Sequence, residues 1–253
     1  MPVLSIITIN YNNAEGLRNT VDSVIHQSFQ DFEYLVIDGG SSDGSLEIIN
    51  KTNRINIKVS EKDDGIYDAM NKGILKSKGD YLLFLNSGDL LCEDVLEKVF
   101  CKTYHQDILY GNMKINWGNN HKTIGIMPKY LSLEHMVKDT LWHPVSFIKK
   151  ELFDRFGMYD TNYKIVADYD FFFKAIIAHK VSYIHIDLTI AEYNTGGMSS
   201  IAINKEKEKN ERLSVLNSYL SPEELNQTKL FLVEKSESKF IKSLKYIKNL
   251  FNK

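Results

Sequence analysis

The chain has 253 residues, of which 31 are lysine or arginine and 33 are aspartate or glutamate, for a formal net charge of −2 at pH 7. This near-balance gives no global attraction for nucleic acid, and a composition of 43% apolar and 25% charged residues is that of an ordinary soluble globular protein. The length allows one large domain or a domain with an appendage, and no apolar run approaches the roughly 18 to 20 residues needed to span a bilayer.

The chain begins with the β-branched run Val3–Ile9, which is typical of a buried parallel strand. No basic region precedes this run, since the first cationic side chain is Arg18, so we expect a strand and not a signal peptide. The cysteines, Cys92 and Cys101, have neither CxxC spacing nor neighbouring histidines, which argues against a zinc site or a disulfide framework. These features predict a cytoplasmic protein.

Strands alternate with helices through the first 90 residues. The predicted strands are Val3–Ile9, Phe32–Ile37, Ile55–Val59 and Tyr81–Leu85, and the predicted helices are Ala14–Gln27, Leu46–Asn50 and Ile66–Leu75. Such alternation predicts right-handed β-α-β units and a parallel sheet.

Three of these strands end in polar loops, which are Asn10–Asn13, Asp38–Gly44 and the turn Asn86–Asp89. Because the carboxyl ends of parallel strands meet at one edge of a sheet, these loops converge on one crevice. The chain contains neither GxGxxG nor GxxxxGK[ST], so it has no dinucleotide fingerprint and no P-loop. A divalent cation shared with substrate phosphates is the natural alternative, with Asp89 as its candidate ligand. Asp89 could instead cap a helix predicted at Glu93–Phe100.

The pattern in the second half of the chain predicts an antiparallel hairpin excursion and then further helices. The predicted strands are Asp107–Tyr110, Met113–Trp117, Thr123–Met127, Val145–Ile148 and Val181–Ile186, and the predicted helices are Lys149–Phe156, Phe171–His179, Asn204–Tyr219 and Pro222–Phe251. Glu192–Ser200 predicts a mobile loop whose Gly196 and Gly197 would suit a lid over a donor, although such loops are usually only connections.

The last 25 residues, 229–253, carry seven lysines against Glu234 and Glu237. Apolar residues there share one helical face, flanked by lysines. A basic amphipathic helix of this kind lies on an anionic bilayer surface, or it packs on a partner or on the catalytic domain.

Four segments together resemble the glycosyltransferases of family 2, which have the GT-A fold. They are Ser5–Asn12, Val36–Gly44, Asp64–Gly73 and Gly79–Asp89, and the match covers roughly residues 3 to 200. The third segment is similar to the branch that builds bacterial capsule, O-antigen and exopolysaccharide. The resemblance implies an α/β fold with a mostly parallel central sheet and helices on both faces. It implies a catalytic domain at 1–200, with a nucleotide-binding half at about 1–100 and an acceptor half at about 101–200, and a C-terminal helical extension at 201–253.

The resemblance also implies roles for residues on the donor side. Thr8, Asn10 and Tyr11 match positions that line the base and ribose, although Tyr11 could instead be a core aromatic. Asp38, followed by Gly39, matches the carboxylate that accepts a hydrogen bond from uracil.

Further along, Asp68 and Lys72 fall in a donor-side helix where a cation near the diphosphate is expected, although Lys72 could be a solvated helix residue. The turn Asn86–Asp89 matches the metal-binding DXD region, usually an Asp-x-Asp-Asp in relatives, with Asn86 and Ser87 on the donor side. Asn86 and Gly88 replace two acids, which leaves Asp89 to bind Mn²⁺ or Mg²⁺.

The resemblance assigns the general base to a helix start. Relatives often carry a Glu-Asp pair where this chain has Ala167 and Asp168, so Asp168 is the expected base and Asp170 the second candidate. His143 is a further candidate for the donor or metal side. From the residues alone, two acids can stabilise a helix dipole, and His143 can be a packed, hydrogen-bonded histidine.

These features imply an inverting glycosyltransferase that moves a hexosyl or N-acetylhexosaminyl group from a nucleotide sugar, above all a UDP-sugar, to a glycan or lipid-linked acceptor. The expected setting is bacterial surface polysaccharide synthesis, with the basic tail holding the enzyme at the inner face of the membrane. Two other classes fit the same residues: a nucleotide- or glycan-binding protein without turnover, and a nucleotidyltransferase. The last usually has a Gly-rich phosphate loop after its first strand, and Asn10–Asn13 is not one.

Overall fold

The computed structural model describes residues 1–195 and 205–228. Within these residues the strands are β1 Leu4–Asn10, β2 Phe32–Asp38, β3 Ile57–Ser60, β4 Tyr81–Phe84, β5 Leu90–Leu91, β6 Ile108–Asn116, β7 Lys122–Gly125, β8 Ser146–Lys149 and β9 Tyr183–Asn194. The helices are α1 Ala14–Ile25, α2 Ser45–Lys51, α3 Ile66–Lys76, α4 Val95–Phe100, α5 Leu133–Lys138, α6 Glu151–Phe156, α7 Ala167–Phe173 and α8 Lys205–Tyr219. A 3₁₀ turn at His143–Val145 precedes β8, a π-helical turn at Lys174–Ala178 continues α7, and 222–228 is helical.

The described strands form one sheet in the order β3-β2-β1-β4-β8-β6-β9-β5, with β7 pairing to β6. The first half, from β3 to β4, is entirely parallel, with Asn10 opposite Asp38 at the end of the β1–β2 ladder. This confirms the predicted α/β fold and its parallel β-α-β half. In the second half β8 runs antiparallel to both β4 and β6, whereas β9 is parallel to β6.

Side chains of β1 alternate between two hydrophobic cores, one on each face of the sheet. Leu4 and Ile6 belong to the core beneath α1, α2 and α4, whereas Ile7 and Ile9 belong to the core beneath α3, α7 and α8. This alternation is the period of two that a strand imposes, and a strand buried on both faces is therefore mostly apolar. The buried hydroxyls of Ser5 and Thr8 are hydrogen-bonded to Glu33 and Tyr34. The helices cover both faces of the sheet, as predicted.

The two strands predicted at Asp107–Tyr110 and Met113–Trp117 are one continuous strand, β6. The pairing of β6 with β9 shifts register around Gly111, where an added Cβ would lie 2.5 Å from Ile190 Cγ1. Gly111 permits close approach of the two strands, so the strand continues through it. In the sequence, however, this glycine interrupts the strand pattern and led to the prediction of two strands.

Strand β9 runs to Asn194, so the first three residues of the loop predicted at Glu192–Ser200 belong to the sheet. Gly196 and Gly197, the proposed lid, lie outside the described residues, as does the basic amphipathic segment 229–253. Within 1–195 and 205–228, no helix combines the length and the apolar character that a membrane span requires.

Candidate active site

An open cleft of about 650 Å³ lies at the carboxyl ends of the parallel strands. Its lining residues come from every polar loop that the sequence directs to this edge and from the segment before α7. They are Ile9, Asn10, Tyr11, Asn13, Gly39, Lys62, Asp63, Gly65, Ile66, Tyr67, Ala69, Asn86, Ser87, His143, Lys164, Ile165, Asp168 and Tyr193. Residues far apart in the sequence therefore share one concave site.

At one end of the cleft, Tyr11 presents a ring that is 67% exposed, which excludes a core role. Asn10 lies beneath it and donates from Nδ2 to Asp38 Oδ1 at 2.7 Å, while its own Oδ1 is buried without a partner among the described residues. Gly39 also lines the cleft. These three predicted donor-side residues lie together.

Asp38 itself is fully buried and is not part of the cleft lining. Burial raises the pKa of Asp38, but hydrogen bonds outweigh it and hold the pKa below its ordinary value. The donors are the side chains of Asn10, Ser41 and Ser60 and the backbone N–H groups of Gly40 and Ser41. Thr8 is also fully buried, where its hydroxyl pairs with Tyr34 at 3.0 Å. Both residues therefore support the cleft from beneath.

The turn after β4 is fixed to its neighbours by hydrogen bonds. The Ser87 N–H donates to the Ile9 carbonyl at 2.9 Å, and the Gly88 N–H donates to Thr20 Oγ1 at 2.8 Å. Gly88 has φ of +105°, which an L side chain rarely adopts, so this position in the turn requires glycine. The turn presents Asn86 and Ser87 to the cleft.

Asp89 points into the protein beneath this turn and is only 5% exposed. Its Oδ1 accepts a hydrogen bond from the Asn194 N–H at 3.3 Å, and Asn194 Nδ2 also donates to the Gly88 carbonyl. Burial raises the pKa of Asp89 to about 7. The interpretation of Asp89 as a helix cap is wrong, because α4 begins at Val95 with Asp94 as its N-cap residue.

His143 connects the turn after β4 to the start of α7. Its Nδ1 lies 3.0 Å from Asp168 Oδ2, and its Nε2 lies 3.2 Å from Asn86 Nδ2. This pattern fits a neutral imidazole that donates from Nδ1 to the carboxylate and accepts at Nε2 from the amide. His143 is thus a hydrogen-bonded bridge across the cleft floor.

Asp168 is held from two further sides by Tyr67, whose hydroxyl lies 2.8 Å from Oδ1, and by the Tyr169 N–H at 2.9 Å. Burial raises the pKa of Asp168, but the hydrogen bond and charge of His143, with the Tyr67 hydroxyl, hold the pKa below its ordinary value. The side chain is 15% exposed and lines the cleft, so it presents an ionised carboxylate to whatever binds there.

Three other predicted residues lie off the cleft. Asp170 bonds to Tyr219 of α8, and burial raises its pKa. Lys72 is enclosed by Glu61, Asp63 and Asp68, with its Nζ 3.1, 2.5 and 3.3 Å from their carboxylates. Lys72 and Asp68 therefore form an ion pair with each other. Neither residue belongs to the cleft lining.

Several lining residues were not predicted as site residues from the sequence. Lys62 and Lys164 bring positive charge to the cleft, Asp63 brings a carboxylate, and Tyr67 and Tyr193 bring aromatic rings. Tyr67 lies in Asp64–Gly73, a segment that carries the family resemblance, and Asp63 directly precedes that segment, which was the available signal. Nothing in the sequence around Lys164 distinguishes it from an ordinary surface lysine.

The expected Mn²⁺ or Mg²⁺ site at Asp89 can be tested against the oxygen atoms that the structure places there. Among the described residues, no three His, Cys, Asp or Glu side chains form a cluster that could hold an ion. However, Asn86 Oδ1 is buried without a partner, and the Asp89 carboxyl is buried without a cationic side chain bonded to it. Asn86 lines the cleft and Asp89 does not, so a Mg²⁺- or Mn²⁺-class ion there would reach the Asp89 carboxyl only from beneath the turn. Such an ion would take most of its ligands from substrate phosphates and water.

Comparison with known proteins agrees with this architecture. The sequence profile of Glycosyl transferase family 2 matches residues 5–168. The PGL/p-HBAD biosynthesis glycosyltransferase of Mycobacterium tuberculosis (strain ATCC 25177 / H37Ra) is 32% identical over 215 residues, which cover 81% of this chain and 82% of that protein.

Solved structures share the fold. S. aureus TarS 1-349 in complex with UDP-GlcNAc gives a TM-score of 0.69 at 20% identity, covering 89% of this chain and 70% of that one. The mannosyltransferase PcManGT from Pyrobaculum calidifontis, in complex with GDP-Man and Mn²⁺, gives 0.58 at 15% identity and covers 79% of this chain and 59% of that one. Since the profile covers more than half of the chain and the mycobacterial relative matches most of it, the protein belongs to glycosyl transferase family 2 and is a glycosyltransferase.

Proposed function

We propose that this glycosyltransferase moves a sugar from a nucleotide-sugar donor, specifically a UDP-sugar, to a hydroxyl group of a glycan or lipid-linked acceptor with inversion at the anomeric carbon. The observation that carries the proposal is the bridge of His143 between Asn86 and Asp168. Asn86 belongs to the turn expected at the donor diphosphate, and Asp168 is the expected base. Sugar transfer requires these two functions in one cleft.

The donor would lie across the ends of β1 and β2. The exposed ring of Tyr11 offers a surface on which a nucleobase can stack, with Gly39 beside it. Lys62 and Lys164 line the same cleft and supply positive charge for a diphosphate. TarS has been captured with UDP-GlcNAc, which supports a UDP-sugar for a chain of the same fold.

Asp89 and Asn86 would hold a divalent cation at the diphosphate. When bound, such an ion neutralises the charge that develops on the departing nucleotide. The imidazole of His143 contacts Asn86 and so fixes the amide that faces this site. PcManGT carries Mn²⁺ together with its nucleotide sugar, which supports an ion of the same class.

Asp168 would accept the proton of the acceptor hydroxyl as this attacks the anomeric carbon. Tyr67 and His143 hold the carboxylate in place through hydrogen bonds at 2.8 and 3.0 Å, and they keep it ionised. A single displacement from the face opposite the leaving group inverts the anomeric centre, so an α-linked donor would give a β-linked product.

The same proposal divides the chain into a nucleotide-binding half at about 1–100, an acceptor half at about 101–200 and a helical extension at 201–253. Its setting is the synthesis of a bacterial surface polysaccharide such as capsule or O-antigen. The similarity to a glycosyltransferase named for PGL/p-HBAD biosynthesis supports a glycan- or lipid-linked acceptor hydroxyl. The basic segment 229–253 would bring the enzyme to the inner face of the membrane.

The decisive variant is Asp168→Asn, which keeps the shape of the side chain and removes its basicity. We expect turnover of a labelled UDP-sugar in the presence of Mn²⁺ to fall by on the order of a hundredfold or more, while UDP binding measured by calorimetry is retained. Asp154→Asn, an exposed position on α6, is the matched control. Unchanged turnover in Asp168→Asn would remove the base assignment.

A further inference from the structure

Asp63 is a cleft carboxylate to which neither the sequence resemblance nor the mechanism above gives a role. It lies in the loop between β3 and α3, and its side chain is only 9% exposed. Lys72 Nζ contacts Asp63 Oδ1 at 2.5 Å. Among residues 1–195 and 205–228, no group donates to Asp63 Oδ2. One oxygen of a nearly buried carboxylate therefore remains available to a molecule in the cleft.

Gly39 brings this oxygen close to the exposed ring of Tyr11. A Cβ built on Gly39 would lie 3.1 Å from Asp63 Oδ2 and also 3.1 Å from Tyr11 Cδ2. Any side chain at this position would crowd both groups. The absence of one lets an aromatic face and a hydrogen-bond acceptor border the same small volume at the end of the cleft.

Lys72 fixes the orientation of the Asp63 carboxylate. Its ammonium group also contacts Glu61 and Asp68 and donates to the Lys62 carbonyl at 3.0 Å. A cation held by several partners cannot easily leave Asp63 Oδ1. This arrangement directs the second oxygen, Oδ2, to the ligand and leaves it as the acceptor for a single donor.

Asp38, the carboxylate that the family resemblance assigns to uracil, is not placed for that contact. It is fully buried, does not line the cleft and already accepts from the side chains and backbone groups described above. Its five donors bind the loop after β2 to the ends of β1 and β3. A nucleobase in the cleft would meet Asp63 first.

We infer that Asp63 Oδ2 accepts a hydrogen bond from the imide N3–H of a uracil or thymine ring that stacks on Tyr11. The inference rests on the proposed nucleotide-sugar donor and names the group that selects its base. A pyrimidine with an imide offers one N–H donor, which matches one available acceptor oxygen. Cytosine offers an acceptor at N3, which repels a carboxylate, and guanine offers two parallel donors, of which one would meet the oxygen already bound to Lys72.

The first experiment needs no variant. Calorimetry would compare UDP with N3-methyl-UDP, which lacks only the N3–H and carries a methyl group in its place, each with Mn²⁺ present. We expect the wild-type enzyme to bind N3-methyl-UDP at least tenfold more weakly than UDP, the range for loss of a hydrogen bond to a charged group. We also expect CDP to bind more weakly than UDP. Equal affinity for UDP and N3-methyl-UDP would overturn the assignment.

The second experiment asks whether the discrimination arises from Asp63. In Asp63→Asn we expect UDP binding to weaken about tenfold or more and the preference of UDP over CDP to shrink, because an amide can face either base. Asp154→Asn is the control, since it removes an exposed carboxylate on α6 that contacts neither Lys72 nor the cleft. A variant that still prefers UDP over CDP by the wild-type ratio would overturn the role of Asp63.

The two experiments also separate this inference from the proposed function. Binding of UDP with no discrimination by Asp63 would overturn the inference and leave the nucleotide-sugar donor standing. Failure of the wild-type enzyme to bind any of UDP, dTDP, GDP or CDP would overturn both. If Asp63→Asn does not fold, Gly39→Ala provides the second variant, and we expect it to weaken UDP binding by crowding Asp63 and Tyr11.

Discussion

His143 joins the proposed base to the turn expected at the donor diphosphate through one imidazole ring. One nitrogen meets the Asp168 carboxylate and the other meets the Asn86 amide, at 3.0 and 3.2 Å. The ring therefore links the position of the Asn86 amide to that of the Asp168 carboxylate.

We predict that His143→Phe shifts the acid limb of the kcat/KM profile to higher pH. Burial raises the pKa of Asp168, and His143 is first among the groups that lower it, so loss of the imidazole raises that pKa. A base works only when deprotonated, so activity will be lost on the acid side at a higher pH than in the wild type. We expect kcat/KM at pH 7 to fall about ten- to hundredfold as well.

Profiles between pH 4.5 and 9 with a fixed UDP-sugar would measure this shift. His26→Gln, which changes an exposed histidine at the C-terminal cap of α1, serves as the control. An acid limb at the same pH in His143→Phe and wild type would show that His143 does not set the protonation of the base.

The buried carboxylate of Asp38 leads to a separate prediction about the pH dependence of the free energy of unfolding. Because hydrogen bonds hold its folded-state pKa below the ordinary value, ionised Asp38 stabilises the fold above about pH 4, and this contribution is lost as the pH falls through the folded-state pKa. We expect Asp38→Asn to lower the free energy of unfolding by about 2–4 kcal/mol at pH 7, with a smaller difference at pH 3.5. Urea unfolding at both pH values measures this, with the exposed Asp31→Asn as control. An identical loss at both pH values would point to packing instead of charge.

At the level of elements, α3 packs closely on β1, and both elements contribute residues to the cleft lining. An added Cβ at Gly73 of α3 would lie 2.5 Å from Ile7 Cγ2. The same helix carries Tyr67, which holds Asp168. A change in the distance between α3 and the sheet would therefore move Tyr67 and, through its hydrogen bond, the proposed base Asp168.

We predict that Gly73→Ala is destabilising although alanine favours helices. The gain in helix propensity is about 1 kcal/mol, whereas overpacking a core costs about 1–3 kcal/mol. We expect a fall in Tm of about 2–4 °C and reduced turnover, because α3 must move away from β1. Leu75→Ala, at an exposed position of the same helix, should change Tm little. A higher Tm in Gly73→Ala would show that Ile7 can yield without cost.

Strands and helices were predictable from the sequence where the pattern of their own side chains, and not a contact with a distant segment, determines their bounds. Strand β1 was predicted within one residue at each end because a strand buried on both faces is rich in β-branched and other apolar residues. Strand β6 appeared as two strands because the residue that interrupts its pattern, Gly111, is needed for the close approach of β9. Helix α5, at Leu133–Lys138, was not predicted, since six residues give too short a pattern.

The site was predictable where chain order places a residue at a strand end. Asn10, Tyr11 and Asn86 follow predicted strands and line the cleft. His143 and Asp168 also line it, but the family resemblance and not a strand end singled them out. Thr8 and Asp38 belong to the same motifs but point inward, since the sequence does not show how deep a side chain lies below a strand end. Lys62, Asp63 and Lys164 reach the cleft only through the packing of loops, and no periodic pattern indicates where those loops lie.

At the scale of the whole molecule, α8 closes over the segment that carries the proposed base. Val215 and Leu216 are buried in the same core as α7, although they lie beyond residue 200. Arg212 donates to the Asp139 carbonyl at 2.7 Å and lies 4.0 Å from the centre of the Tyr169 ring. The first helix of the expected extension is thereby packed against the catalytic region.

Glu211 makes the most direct of these contacts. Its carboxylate accepts hydrogen bonds from the N–H groups of Lys164, Ile165 and Val166 at 2.9 to 3.3 Å. These N–H groups belong to the segment directly before α7, and two of the three residues line the cleft. Glu211 therefore acts as a positioning residue for Asp168, since the Tyr67 hydroxyl that bonds the base also meets the Ile165 carbonyl at 2.7 Å.

We predict that Glu211→Gln lowers kcat about tenfold while the Kd for UDP stays within about twofold of wild type. The amide is a weaker acceptor than the carboxylate, so the segment 164–166 loses charge-assisted hydrogen bonds of about 1.5–3 kcal/mol in total, and the base becomes less well ordered. Of the residues proposed to bind the donor, only Lys164 lies in the segment that Glu211 holds, and Glu211 bonds its backbone N–H and not its ammonium group. Glu206→Gln, an exposed acid on the same helix, is the control. Equal losses of kcat and of UDP affinity would indicate general unfolding, and unchanged kcat would show that α8 holds the base segment without Glu211.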